Sequence, residues 1–178
     1  MRGALMNLIN DDRPFNIDPT SMARFHSIDL AVAARTSLPV LISGPAELAL
    51  PTAIEIAVGE DESGAEGVLV VDACDDRYLR SILSRAMSDR VGRPRAVVIH
   101  GVETLSTSQQ AAVMTLVAEL SMPQINHCRL ITTTAAPLFD RVAEGRFDPE
   151  LFYRLNEIHI KVGAAWAGDD RSAWPNMN

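Results

Sequence analysis

The chain has 178 residues, with 16 Lys+Arg against 23 Asp+Glu and a formal net charge of −7. Only one of those bases is a lysine, Lys161, which excludes a phosphate-binding, Schiff-base or polybasic lysine at any other position. The acidic balance argues against a nucleic-acid or anionic-membrane surface, where clustered positive charge is needed.

Residues 1–19 carry the breakers Asp11-Asp12-Arg13-Pro14 and Asp18-Pro19 and read as an N-terminal arm. Thr20 or Ser21 caps a predicted helix over about 22–36. Pro39-Val40-Leu41-Ile42-Ser43 reads as a buried strand ending at Gly44-Pro45, because a buried parallel strand is a continuous apolar run. A short helix follows over Pro51–Val58, with proline in its first turn. After an acidic loop at 61–67, Val68 to Val71 form the second strand and Asp75 to Asp89 a helix with Arg77, Arg80 and Arg85 exposed.

Ala96-Val97-Val98-Ile99 is the third strand, and Leu105-Ser106 opens the next helix. Arg129 to Thr134 form the fourth strand, and Ala136 to Glu144 a helix stopped by Gly145. Pro149 to Tyr153 make one more turn, and Ile158 to Val162 the fifth strand. The residues from Gly163 onward read as a C-terminal tail, in which Trp166 and Trp174 are either partner anchors or groups folded back on the domain. Five short apolar strands alternating with helices predict an α/β fold, a three-layer sandwich around a five-stranded, mainly parallel sheet. Cys74 and Cys128 fall at opposite ends of their strands, so no disulfide is expected between them. No apolar run approaches the roughly 20 residues of a membrane span, and the cytoplasm is the expected compartment.

The run Leu138 to Ile160 carries the most specific pattern, L-x-x-x-V-x-x-G-x-F followed by E-L-F-Y-R-L-N-x-I-x-I. It resembles the end of the AAA+ core of sigma-54-dependent transcription activators, and the likeness extends over about 24–162. The resemblance implies a P-loop NTPase fold for residues 20–162, with strand order 5-1-4-3-2. It also implies a phosphate loop G-x-x-x-x-G-K after the first strand, where this chain reads Gly44-Pro45-Ala46-Glu47-Leu48-Ala49-Leu50-Pro51. The second glycine is Ala49 and the lysine is Leu50; Pro45 and Pro51 each lack an N–H, and Glu47 adds negative charge.

At the Walker B pair, implied to be an Asp and a Glu, stand His100 and Gly101. Neutral imidazole is a poor Mg²⁺ ligand, and glycine cannot activate water. The polar sensor after the fourth strand is Ala135, and the G-A-F-T-G-A loop is absent. Of two trans-acting arginines, the first position is Asp148 and the second is the retained Arg154. Only about 16 residues follow Val162, fewer than a helix-turn-helix needs, so no direct DNA binding is expected.

The resulting expectation is a degenerate AAA+ domain without ATP hydrolysis, needing no cofactor or metal. It would regulate bacterial transcription through protein contacts, with a competent AAA+ activator or with itself. The interface candidates are Asp148, Phe152, Arg154 and Asn156. Arg154 has a second reading, as an ion pair with Glu150 one turn earlier. An alternative function is a weak ATPase using Mg-ATP, with Glu103 as carboxylate and Arg154 in trans; another is a structural or effector-binding module. His100 is either a metal or pH-sensing group or a polar strand end, and His127-Cys128 lacks zinc spacing. The arginines at 77, 80, 85, 90, 93 and 95 read as a solvated face beside Asp75, Asp76 and Asp89 rather than an anion patch. Ser37, Ser43 and Ser106 show no His/Asp arrangement for nucleophilic catalysis.

Overall fold

A computed structural model describes residues 33, 35–59, 67–87, 94–121 and 128–163. The expected arm, nearly all of the helix over 22–36, the tail beyond 163, His127, Arg90 and Arg93 lie outside them.

Five parallel strands form one sheet: β1 (Val40–Ser43), β2 (Val68–Asp72), β3 (Ala96–His100), β4 (Arg129–Thr134) and β5 (Ile158–Lys161). Their order is β2-β3-β4-β1-β5, the order implied by the resemblance. The register puts Val40 beside Ile131 and Ile158, and Val98 beside Val70 and Ile131. Successive side chains point to opposite faces, so each strand feeds two cores.

On one face, Val40, Ile42, Val98, Ile131 and Ile160 pack against Ala49, Ala53 and Ile56 of helix α1 (Ala46–Val58). On the other, Leu41, Val71, Val97, Ile99 and Leu130 pack against α2 (Asp76–Ala86), α3 (Thr107–Leu120), α4 (Leu138–Ala143) and α5 (Pro149–Leu155). This is the predicted three-layer sandwich.

Helix α1 starts earlier than the sequence suggested, at Ala46 instead of Pro51. Pro45 holds φ −52 and serves as N-cap, and Ala46 to Leu50 are mostly strong helix formers. Pro51 therefore sits inside the helix and withholds one hydrogen bond. The Thr52 hydroxyl donates to the Leu48 carbonyl at 2.8 Å. Helix α2 ends three residues before the expected Asp89 within the described chain, and its buried face is Leu79, Ile82, Leu83 and Ala86. Tyr78, expected on that face, is partly buried at its rim.

The start of α3 carries a reciprocal cap, in which Ser106 Oγ accepts from Gln109 N and Gln109 Oε1 accepts from Ser106 N. Before it lies a short 3-10 turn, Val102–Thr104, that sequence periodicity did not reveal.

Candidate functional site

All five strands run the same way, so their C-terminal ends line one edge of the sheet. There Ser43, Asp72, His100, Thr134 and Lys161 end β1 to β5. Open parallel sheets place their ligand crevices along this edge.

The connection after β1 is very short. Gly44 and Pro45 alone separate Ser43 from the first helical residue. Gly44 N donates to the Thr134 carbonyl at 3.0 Å, and the N–H groups of Leu48 and Ala49 both donate to the Pro45 carbonyl at 2.9 Å. The positions that would wrap a phosphate are thus the first turn of α1. Ala49 is buried, and Leu50 packs against the core beneath α1.

The end of β5 closes over this turn. Gly44 has φ +150, and a β-carbon there would lie 2.2 Å from the Val162 carbonyl oxygen. A β-carbon on Gly163 would lie 3.2 Å from Pro45 Cδ and 3.4 Å from Leu48 Cδ1.

At the end of β3, His100 Nδ1 hydrogen-bonds Thr133 Oγ1 at 2.6 Å, which fits a polar strand-end residue. Gly101 adopts a left-handed conformation (φ 73, ψ 40), a turn that glycine enters without side-chain strain. That turn aims Glu103 back across the sheet edge. Glu103 Oε1 accepts from Ala135 N at 3.1 Å, while its Oε2 is buried with no hydrogen-bond partner among the described residues. The carboxylate expected as the alternative catalytic group therefore reaches the sensor position. Among the described residues no group of three or more His, Cys, Asp or Glu is placed to hold a metal ion.

The interface candidates cluster on α5 and its approach. Asp148 caps α5, its Oδ1 accepting from Leu151 N at 2.8 Å. Arg154 Nε and Nη2 donate to Glu150 Oε1 at 3.2 and 3.1 Å, as the ion-pair reading required. Phe152 stacks edge-on with Phe139 of α4 at 6.3 Å and with Tyr153 at 5.5 Å. Phe139 and Tyr153 are 59% and 65% exposed. Asn156 ends the helix with its Oδ1 buried and unpartnered among the described residues.

Sequence reasoning missed the residue that places this segment. Gln110, buried in the first turn of α3, donates from Nε2 to the carbonyls of Leu105 at 2.8 Å and Arg146 at 3.1 Å. Its Oε1 accepts from Asp148 N at 2.8 Å. A glutamine at helical spacing from Val113 and Val117, next to the equally buried Gln109, was the available signal.

Ser43 has a partner that sequence spacing did not show. Its Oγ lies 2.7 Å from His159 Nε2, a pairing created by the β1–β5 register across 116 positions of sequence. Ser43 is only 2% exposed. Arg80 pairs with Asp76 on α2, consistent with a solvated helix face. Cys74 is exposed and Cys128 buried, at opposite ends of the sheet as expected. Among the described residues no helix is long and apolar enough to cross a membrane.

Comparison with known proteins agrees with this architecture. The ATP complex of NtrX from Brucella abortus superposes with a TM-score of 0.60 at 19% identity, covering 81% of this chain and 35% of that one. The P-loop NTPase domain of the sigma-54 transport activator from E. coli gives 0.52 at 20% identity, covering 71% of this chain and 98% of that one. DnaA from Aquifex aeolicus, bound to AMPPCP, gives 0.51 at 12% identity, covering 76% and 44%. The chain thus spans about a third of the length of the NtrX chain. No curated protein sequence matches it. The sigma-54 interaction domain model matches residues 58–164, more than half the chain. The chain therefore belongs to the sigma-54 interaction domain family.

Proposed function

We propose that this domain is a cytoplasmic protein–protein interaction module of bacterial transcription control that does not hydrolyse ATP. The observation that carries this reading is the conversion of residues 46–50 into the first turn of α1. A phosphate loop works by aiming successive N–H groups and a lysine at the anion. Here the Leu48 and Ala49 N–H groups serve the helix, Leu50 packs in the apolar layer, and Glu47 is acidic. His100 is engaged with Thr133, and Gly101 has no side chain to polarise water. These residues do not fit a magnesium nucleotide, in contrast to NtrX from Brucella abortus, which crystallises in complex with ATP.

What the chain does offer is α5, on which Phe152 contacts both Tyr153 and Phe139 of α4, with Arg154 next in sequence. Aromatic residues and arginine dominate binding hot spots. The partner would be a competent AAA+ activator or a second copy. Among the described residues Arg154 is held only by an exposed ion pair, which costs about 0–1 kcal/mol to release.

Glu103 supports a second reading. Its carboxylate stands at the crevice and is hydrogen-bonded to the sensor position, as a weak ATPase would need.

Titration with Mg-ATP separates the two. A ligand at 100 times its Kd adds about 2.7 kcal/mol to stability. The interaction reading expects no rise in Tm at millimolar Mg-ATP and no phosphate release, together with an altered ATPase rate when the chain is mixed with a competent activator. A Tm rise with turnover that depends on Glu103 establishes the second reading instead.

A further inference from the structure

Helix α5 turns Leu151 and Leu155 into the core. With about 3.6 residues per turn, Glu150, Tyr153 and Arg154 fall together on the side facing away. Glu150 and Tyr153 are exposed, and Arg154 is partly so. Phe152 sits at the border, edge-on to Tyr153 and to Phe139 of α4. The exposed rings of Phe139 and Tyr153 thus flank one half-buried ring, and an aromatic strip crosses from α4 to α5.

The charges around the strip are mixed. Asp140, Glu144, Asp148 and Glu150 stand there against Arg141, Arg146 and Arg154, close to neutral in a chain of net charge −7. Two copies repel through their net charge, and a face whose own charges balance is one across which they can meet. The order of the charges decides what fits. Glu150 and Arg154 stand one turn apart on the outer side of α5, paired at 3.1 Å within the chain. A second α5 turned half a revolution about an axis between them brings its Arg154 beside Glu150 and its Glu150 beside Arg154. The arrangement is self-complementary, which is what an isologous two-fold interface requires. Tyr153, on the same side, comes near its own symmetry mate, and tyrosine is enriched at the centre of such contacts. A second copy satisfies both charges twice, whereas a partner of unlike sequence gains nothing from this symmetry.

We propose that the outer side of α4 and α5 is a two-fold interface between two copies of this chain, with the α5 helices antiparallel across the axis. The inference rests on the interaction reading above and names its partner. A face built from two short helices falls at the small end of specific interfaces, so the dimer is a weak one, with a Kd in the micromolar range.

The test is sedimentation velocity over a dilution series of the full chain, of Glu150→Arg, of Arg154→Glu and of the chain carrying both. The native chain is expected to pass from monomer to dimer as concentration rises. Glu150→Arg sets arginine against arginine across the axis, and Arg154→Glu sets glutamate against glutamate. Each alone is expected to weaken dimerisation about tenfold or more, because like charges face each other twice. A mixture of the two single variants brings opposite charges together again and is expected to recover the native dimer constant, as is the chain with both exchanges. Recovery in the mixture also shows that neither variant failed to fold. A native chain that stays monomeric at millimolar concentration overturns the interface. So does association that the single reversals leave unchanged, or that the mixture fails to recover. A monomer that still alters a competent activator's ATPase rate overturns the interface and leaves the interaction reading standing; a dimer that turns over Mg-ATP does the reverse.

Discussion

Gln110 ties the amide of Asp148 to the first turn of α3, with 2.8 Å between Gln110 Oε1 and Asp148 N. The same side chain holds the Arg146 carbonyl, so one buried amide joins α3 to the approach to α5. Replacement Gln110→Leu keeps the volume but leaves three backbone groups without partners. A loss of about 2–4 kcal/mol is expected from urea denaturation, at 1–3 kcal/mol for each buried group left unsatisfied and partial rescue by water. A change under 0.5 kcal/mol contradicts the anchoring role.

Arg154→Ala should behave in the opposite way. The pair with Glu150 is exposed, with side-chain exposures of 42% and 67%. Stability is expected to fall by about 0.5 kcal/mol or less. Any effect of the chain on a competent activator's ATPase rate should nonetheless diminish. Loss of stability without loss of that effect assigns Arg154 a purely structural part.

Restoring the missing phosphate-loop residues should not restore nucleotide binding. Ala49→Gly with Leu50→Lys supplies the glycine and the lysine, yet both positions stay helical behind Pro45. Calorimetry with Mg-ATP is expected to show no heat of binding. The glycine alone should lower stability by about 1 kcal/mol, the propensity difference in a helix. Micromolar binding by the double variant is the result that contradicts the helical first turn as the obstacle.

Gly44→Ala tests the closure over that turn. The new methyl would meet the Val162 carbonyl at 2.2 Å on a backbone with φ +150. The expected loss is about 3 kcal/mol or more, because strained backbone and a clash with main chain act together. Alanine at Gly145, which has φ 68 but open space around it, should cost only about 1 kcal/mol.

Much of the fold was legible because its signals are local. Val68 to Val71 and Ala96 to Ile99 are apolar runs that only a strand covered on both faces requires. The start of α1 was misread because Pro51 resembles a first-turn proline, whereas the helix already begins at Ala46, with Pro45 as its N-cap. The site divided in the same manner. Leu50, His100 and Asp148 were visible as departures from a motif. The reach of Glu103 to Ala135 and of Gln110 to Asp148 was not, since each depends on how separate elements align in space.

The Gly44–Val162 contact has a consequence for biosynthesis. Strand β1 lies between β4 and β5, so one of its flanks is covered only by the last strand of the sheet to be made. Until Val162 has left the ribosome, the Ser43 carbonyl lacks the amide that donates to it at 2.8 Å, and the hollow at Gly44 stays open. A chain emerging from its N-terminus must therefore hold an unpaired apolar strand edge until β5 is made. Such edges invite pairing with other chains. Chaperone dependence of the nascent chain should end abruptly once β5 emerges, rather than decline as each helix is added.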